Sequence, residues 1–166
     1  MADMAEPLAP SQMHTYFAFT EAASLLQFAV AQQLRAEADL SYVQFEILAT
    51  LGAAQRPMTM TDIADGVVYS RSGLTHQAAL LEKAGLITRS PSPTDQRATV
   101  VDLTDGGRDR LDRVLPGHIE VVRDLLYGAL DDDDVATLGS ILVRVRDHMR
   151  SRPSRSRSVS RTSPAG

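Results

Sequence analysis

The 166-residue chain has no cysteine, which excludes disulfides and thiol-based redox sensing. No apolar run approaches a membrane span, and the first residues lack a basic segment followed by an apolar one. The expectation is a cytoplasmic protein with no membrane partner. Catalytic signatures are missing too: no nucleophile elbow, no phosphate-cradling glycine loop and no paired-histidine metalloprotease helix. No catalytic residue, cofactor or metal is therefore assigned. The four histidines, His14, His76, His118 and His148, have no ligand spacing. Distant histidines could still meet in an assembly, so a metal-responsive regulator stays open.

Positive charge is also scarce overall. The formal net charge is -4, yet it is unevenly spread. Residues 1–55 carry one Arg against six acids, whereas residues 56–98 carry five basic residues against four acids. Residues 99–150 are acidic again, and residues 151–166 add four Arg. Any attraction to a polyanion must be local, in the middle of the chain or at its tail.

What is present is helical periodicity with clear punctuation. Residues 1–10 contain two prolines and read as a flexible arm. From Ser11 to about Glu37 there is no Pro or Gly, and Met13, Phe17, Leu25, Phe28, Ala29 and Leu34 mark a long helix expected to be buried on more than one side. Ser41 caps a second helix to Ala53, with Phe45, Leu48 and Leu51 on one face. Pro57-Met58 allows a short extended piece. Thr59 and Asp62 form a capping-box signature for a short helix to Gly66. Ser70 caps a segment to Ala84 with Leu74, Ala78, Leu81 and Ala84 at three-four spacing, and Gly85 ends it.

Leu86–Arg89 and Ala98–Leu103 are β-prone and flank a polar tip, Ser90–Arg97. Thr104 caps a long helix that Pro116 should kink or divide, with Val114, Leu115, Val121, Val122, Leu125 and Leu126 apolar. Asp131–Asp134 opens a last helix, where N-capping explains the acids better than a cation site, and Leu138, Ile141, Leu142 and Val145 should be buried. Ser151–Gly166, an Arg/Ser tail, is expected to be disordered.

Helix, helix and two-stranded wing make a winged helix-turn-helix. The fold class is mainly α with a small β-hairpin wing, the winged domain being flanked by long N- and C-terminal helices. The expected divisions are 1–10, 11–55, 56–103, 104–150 and 151–166. In such a unit the start of the second helix enters the major groove. Here that start offers Ser70, Arg71, Ser72, Thr75, His76 and Gln77, all able to bond phosphates or base edges.

Across 59–111 the sequence closely resembles the multiple antibiotic resistance regulator (MarR) family. The resemblance rests on Thr61-Asp62-Ile63-Ala64, on Leu80–Arg89 with its Leu-Glu-x-x-Gly-Leu-Ile run, on Asp95-Gln96-Arg97 and on Leu103-Thr104-Asp105-Gly106-Gly107. It implies a homodimer held by the terminal helices that binds double-stranded DNA at a pseudo-palindromic operator. It also implies Arg97 as a minor-groove probe and Asp95 as the residue orienting its guanidinium, and Arg89 is a further candidate DNA contact. Gln96 stands where many relatives have a second Arg, and His76 where Arg is frequent, so base preference is not transferable. The resemblance further implies a repressor relieved by a small aromatic or anionic effector, with Tyr16, Phe17, Tyr42 and Phe45 as candidate lining. A winged-helix module that binds a protein instead of an operator is the alternative, favoured by the acidic balance.

Overall fold

The structure, a computed structural model, describes residues 6–95 and 97–152. Half of the expected N-terminal arm, most of the Arg/Ser tail and Gln96 lie outside the described residues. The chain divides into two units, residues 1–126 and 127–166.

Local capping chemistry sets the helix starts. Pro10 fills the first turn of α1 (Pro10–Ala38), where its missing N–H has no helical acceptor to lose. Ser41 caps α2 (Tyr42–Ala54): its Oγ accepts from Gln44 N at 3.2 Å while Gln44 Oε1 accepts from Ser41 N at 2.9 Å. The Thr59–Asp62 box starts α3 (Met60–Gly66) as the sequence predicts, with bonds of 3.1 and 3.3 Å. Ser70 caps α4 (Arg71–Lys83) through a 3.1 Å bond from Gly73 N. Ala84, expected on the buried stripe, is instead the exposed C-cap, and Gly85 follows with φ of +73°.

The sheet has three antiparallel strands: β1 (Met58–Thr59), β2 (Ile87–Pro91) and β3 (Thr99–Leu103), in the order β1-β3-β2. Ile87 lies opposite Leu103 and Pro91 opposite Thr99, so the wing is paired two residues further than the sequence suggests. The Met58 piece joins the other edge of β3 opposite Val101.

Thr104 caps α5 (Asp105–Leu125) and also donates to Gly85 O at 2.7 Å, tying the end of α4 to the start of α5. Gly107 explains the Leu-Thr-x-x-Gly spacing. A Cβ there would fall 2.0 Å from Leu86 O, so only glycine lets the first turn of α5 approach that carbonyl.

One hydrophobic cluster joins Val30 and Leu34, Phe45 to Leu51, Ile63, Leu74 to Leu81, Ile87, Val101, Leu103, Leu111 and Val114. It is this core that fixes the angle of α4.

Three expectations need correcting. Helix α1 is not buried on more than one side: only Val30, Leu34 and Ala38 are buried, while Phe17, Leu25 and Phe28 are exposed. Pro116 does not divide α5. The helix is held on both sides of that residue, by Leu111 and Val114 in the core before it and by Val121 and Val122, half-buried against the same core, after it. In the second unit, α6 (Asp132–Ser151) follows a 3-10 turn (Tyr127–Ala129) and starts on an Asp131–Asp134 capping box, as expected. Its apolar stripe is not buried, however: Ile141, Leu142 and Val145 are exposed and Leu138 is half-exposed. A spacing pattern marks a stripe that should be covered, and among the described residues this one is left open.

Candidate nucleic-acid interface

Helix α4 separates its residues cleanly by face. Leu74, Ala78 and Leu81 are buried, while Arg71, Ser72, Thr75 and His76 are exposed and Gln77 is half-buried. Two of the polar groups are already engaged. Ser70 Oγ caps the helix, and Thr75 Oγ1 donates back to Arg71 O at 2.9 Å. Both oxygens keep acceptor capacity, so Arg71 and His76 are the stronger donors at this end of α4.

The wing tip is built on a residue the sequence did not single out. Ser92 is only 8% exposed, and its hydroxyl accepts from Thr94 N and Asp95 N, each at 3.3 Å. Ser92 N donates to Ala98 O at 2.8 Å, and Ala98 N donates to Asp95 O at 2.9 Å, closing the loop. The available signal was a small hydroxyl residue between Pro91 and Pro93, which fits a tight turn where neither flanking residue can donate a backbone hydrogen bond.

Within this loop Asp95 holds Arg97, but through the backbone. Asp95 Oδ1 accepts from Arg97 N at 3.0 Å, and no ion pair joins the carboxylate to the guanidinium among the described residues. The orientation implied by the resemblance is thus an Asx-type turn, which leaves the Arg97 fork exposed.

Arg89 has a different environment. Its Nε and Nη2 both donate to Glu82 Oε2, at 2.9 and 2.6 Å, linking strand β2 to helix α4. The side chains are 26% and 38% exposed, so solvent screening of the pair is incomplete. A guanidinium held this way braces the wing against α4. Sequence spacing gave no hint of it, because Glu82 and Arg89 lie on different elements.

The four candidate effector residues are not gathered. Tyr16 and Phe17 are exposed on α1, their rings 5.4 Å apart. Tyr42 is half-buried, and Phe45 is buried with its ring 4.6 Å from that of His118 on α5. The second location is chemically richer. Gln33 Nε2 donates to Glu37 Oε2 and Val114 O, but Gln33 Oε1 and His118 Nδ1 are buried with no hydrogen-bond partner among the described residues. Burial pushes the His118 pKa down and the Glu46 pKa up; burial and then the Glu46 charge push Tyr42 up.

Among the described residues, no helix is long and apolar enough to cross a membrane, and no group of three or more His, Asp or Glu is placed to hold a metal.

The MarR family profile matches residues 40–99, from just before α2 to the first residue of β3. The HTH-type transcriptional regulator PecS of Dickeya dadantii is 33% identical over 112 residues, 66% of this chain and 67% of PecS. Sco3205, a MarR family transcriptional regulator from Streptomyces coelicolor solved in complex with DNA, has a TM-score of 0.84 at 31% identity, covering 92% of this chain and 94% of its own. AbsC, a MarR family transcriptional regulator from the same organism, has a TM-score of 0.83 at 26% identity, covering 89% and 100%.

Proposed function

The chain belongs to the MarR family of transcriptional regulators, and on that premise we propose that it is a homodimeric operator-binding repressor. It is a regulator and not an enzyme. The observation that carries DNA binding is the exposed Arg71, Ser72, Thr75 and His76 face of α4 beside a wing whose Arg97 fork is exposed. Sco3205, which shares the fold over nearly its whole length, was solved on DNA. In this reading α4 lies in the major groove, Arg97 enters the minor groove, and Arg89 keeps the two at a fixed separation by holding Glu82.

The exposed apolar residues supply the second subunit's landing surface. Phe17, Leu25 and Phe28 on α1, and Ile141, Val145 and Met149 on α6, are exposed at 39% or more in the single chain. Exposed large apolar residues grouped on one helix mark an interface, and each of the two helices carries such a group. A two-fold dimer would present its recognition helices about one DNA turn apart, roughly 34 Å, to a pseudo-palindrome.

For relief by a small aromatic or anionic effector, the proposed site is the seam of α1, α2 and α5. The unpartnered Gln33 Oε1 and His118 Nδ1 favour it over Tyr16 and Phe17. An effector there would release DNA only if it binds the non-operator conformation more tightly.

The test is selection of bound fragments from host genomic DNA, followed by titration against salt. An operator complex gives a steep negative dependence of log affinity on log salt. A flat dependence would instead favour a winged-helix module with a protein partner.

A further inference from the structure

Tyr69 sits in the turn between α3 and α4 and is half-exposed, at 47%. It follows Val68, which is 91% exposed, and precedes the Ser70 cap. Its ring does not extend freely into solvent. A Cβ built on Gly73 would lie 2.4 Å from Tyr69 Cε1 and 2.9 Å from Cδ1, so the edge of the ring rests against the first turn of α4. Glycine inside a helix weakens it, and its presence here is accounted for by the ring occupying the space of a side chain. The backbone of the turn is tightened as well, since Tyr69 N donates to Val67 O at 2.9 Å.

We propose that Tyr69 is a further DNA-contacting residue, positioned by Gly73 to donate its phenolic hydrogen to a phosphate at the edge of the groove that α4 enters. The inference rests on the operator-binding reading of α4. A tyrosine with one side of its ring packed and its remainder wet has little rotamer freedom left to lose on binding, and tyrosine hydroxyls are ordinary phosphate donors. The residue is continuous with Ser70, Arg71 and Ser72, so a duplex engaging those three passes it. Because the phenol is neutral, its contact adds affinity without releasing a counterion.

That gives a distinctive signature. Operator binding by the full chain is measured by fluorescence anisotropy at several salt concentrations, on the operator and on single-base variants. Tyr69→Phe keeps the ring against Gly73 and removes only the hydroxyl. It is expected to weaken binding about fivefold, the size of one net hydrogen bond, equally on all sequences and with an unchanged salt slope. Gly73→Ala, which pushes the ring away, is expected to lose at least as much, with helix content checked by circular dichroism. Wild-type affinity in Tyr69→Phe overturns the proposal, while a steep salt slope in the wild type leaves the operator reading standing. A loss confined to particular base pairs overturns the phosphate assignment in favour of base contact. Failure of the wild type to bind DNA overturns both readings.

Discussion

Helices α4 and α6 are built from the same local instructions and end in opposite situations. Each starts on an oxygen-bearing cap, Ser70 or Asp131, and each carries apolar residues at three-four spacing. The α4 stripe, Leu74, Ala78 and Leu81, disappears into the core, and its polar face is left open. The α6 stripe is left open, with Ile141, Leu142 and Val145 exposed and Leu138 half-exposed. Spacing therefore specifies that a face must be covered, while the covering element is a property of the assembly. In one helix the partner is the same chain, and the free face is the proposed DNA contact. In the other the proposed partner is a second copy.

The sharpest way to break this comparison is to damage each stripe. Leu74→Ala removes a fully buried side chain and should cost about 3 kcal/mol of unfolding free energy at any protein concentration. Ile141→Asp with Val145→Asp should leave the isolated subunit within about 0.5 kcal/mol of wild type, as surface changes do. It should nevertheless raise the dimer dissociation constant at least about a hundredfold, since juxtaposed like charges cost several kcal/mol. Denaturant titration and light scattering over a range of protein concentrations separate the two. A double Asp variant that stays dimeric would remove α6 from the interface.

The polar side of the comparison gives the next effects. Arg97→Ala should weaken operator binding by about 1–3 kcal/mol and lower the salt slope by about one. Ser92→Ala should cost about 1 kcal/mol of operator affinity by loosening the tip that carries Arg97, with the melting temperature unchanged. Faster hydrogen exchange at the Thr94 and Asp95 amides would accompany it. Equal loss of salt slope in both variants would mean that Ser92 acts on charge rather than on loop shape.

Most of the fold was legible because capping is local. Ser41, Thr59, Ser70, Thr104 and Asp131 are each read within three residues, and each is the cap observed. The hairpin too was visible, from two β-prone runs around a proline-rich tip. What escaped depends on pairs distant in sequence or on shape. Arg89 reads from the sequence as a candidate DNA contact, and its pairing with Glu82 on another element has no local signature. Asp95, implied to orient the Arg97 guanidinium, accepts instead from the Arg97 backbone amide. Tyr69 and Gly73 were unremarkable until the ring was seen to fill the space of the missing side chain. The third strand, Met58–Thr59, was only an extended piece until register joined it to Val101.

The smallest expected effect lies where the recognition unit meets the long helices, and it comes from two half-buried groups of opposite sign. Burial lowers the His118 pKa from its ordinary value near about 6.5 and raises that of Glu46 from the carboxylate range. As pH falls below about 6.5, unfolded His118 takes its proton before the folded one does, so this residue withdraws stability on the acid side. Glu46 behaves in reverse: the folded carboxyl protonates first, so its contribution is lost as pH rises through the folded pKa and recovered as pH falls. Wherever the two titrations overlap below about pH 6.5, they should partly cancel in the wild type. Removing one exposes the other. Relative to wild type, His118→Gln should gain melting temperature as the pH is lowered, and Glu46→Gln should lose it. Parallel pH profiles for wild type and His118→Gln would show that the imidazole is equally solvated in both states. The contact with Phe45 would then be packing alone, with no titration coupled to the helices that carry α4.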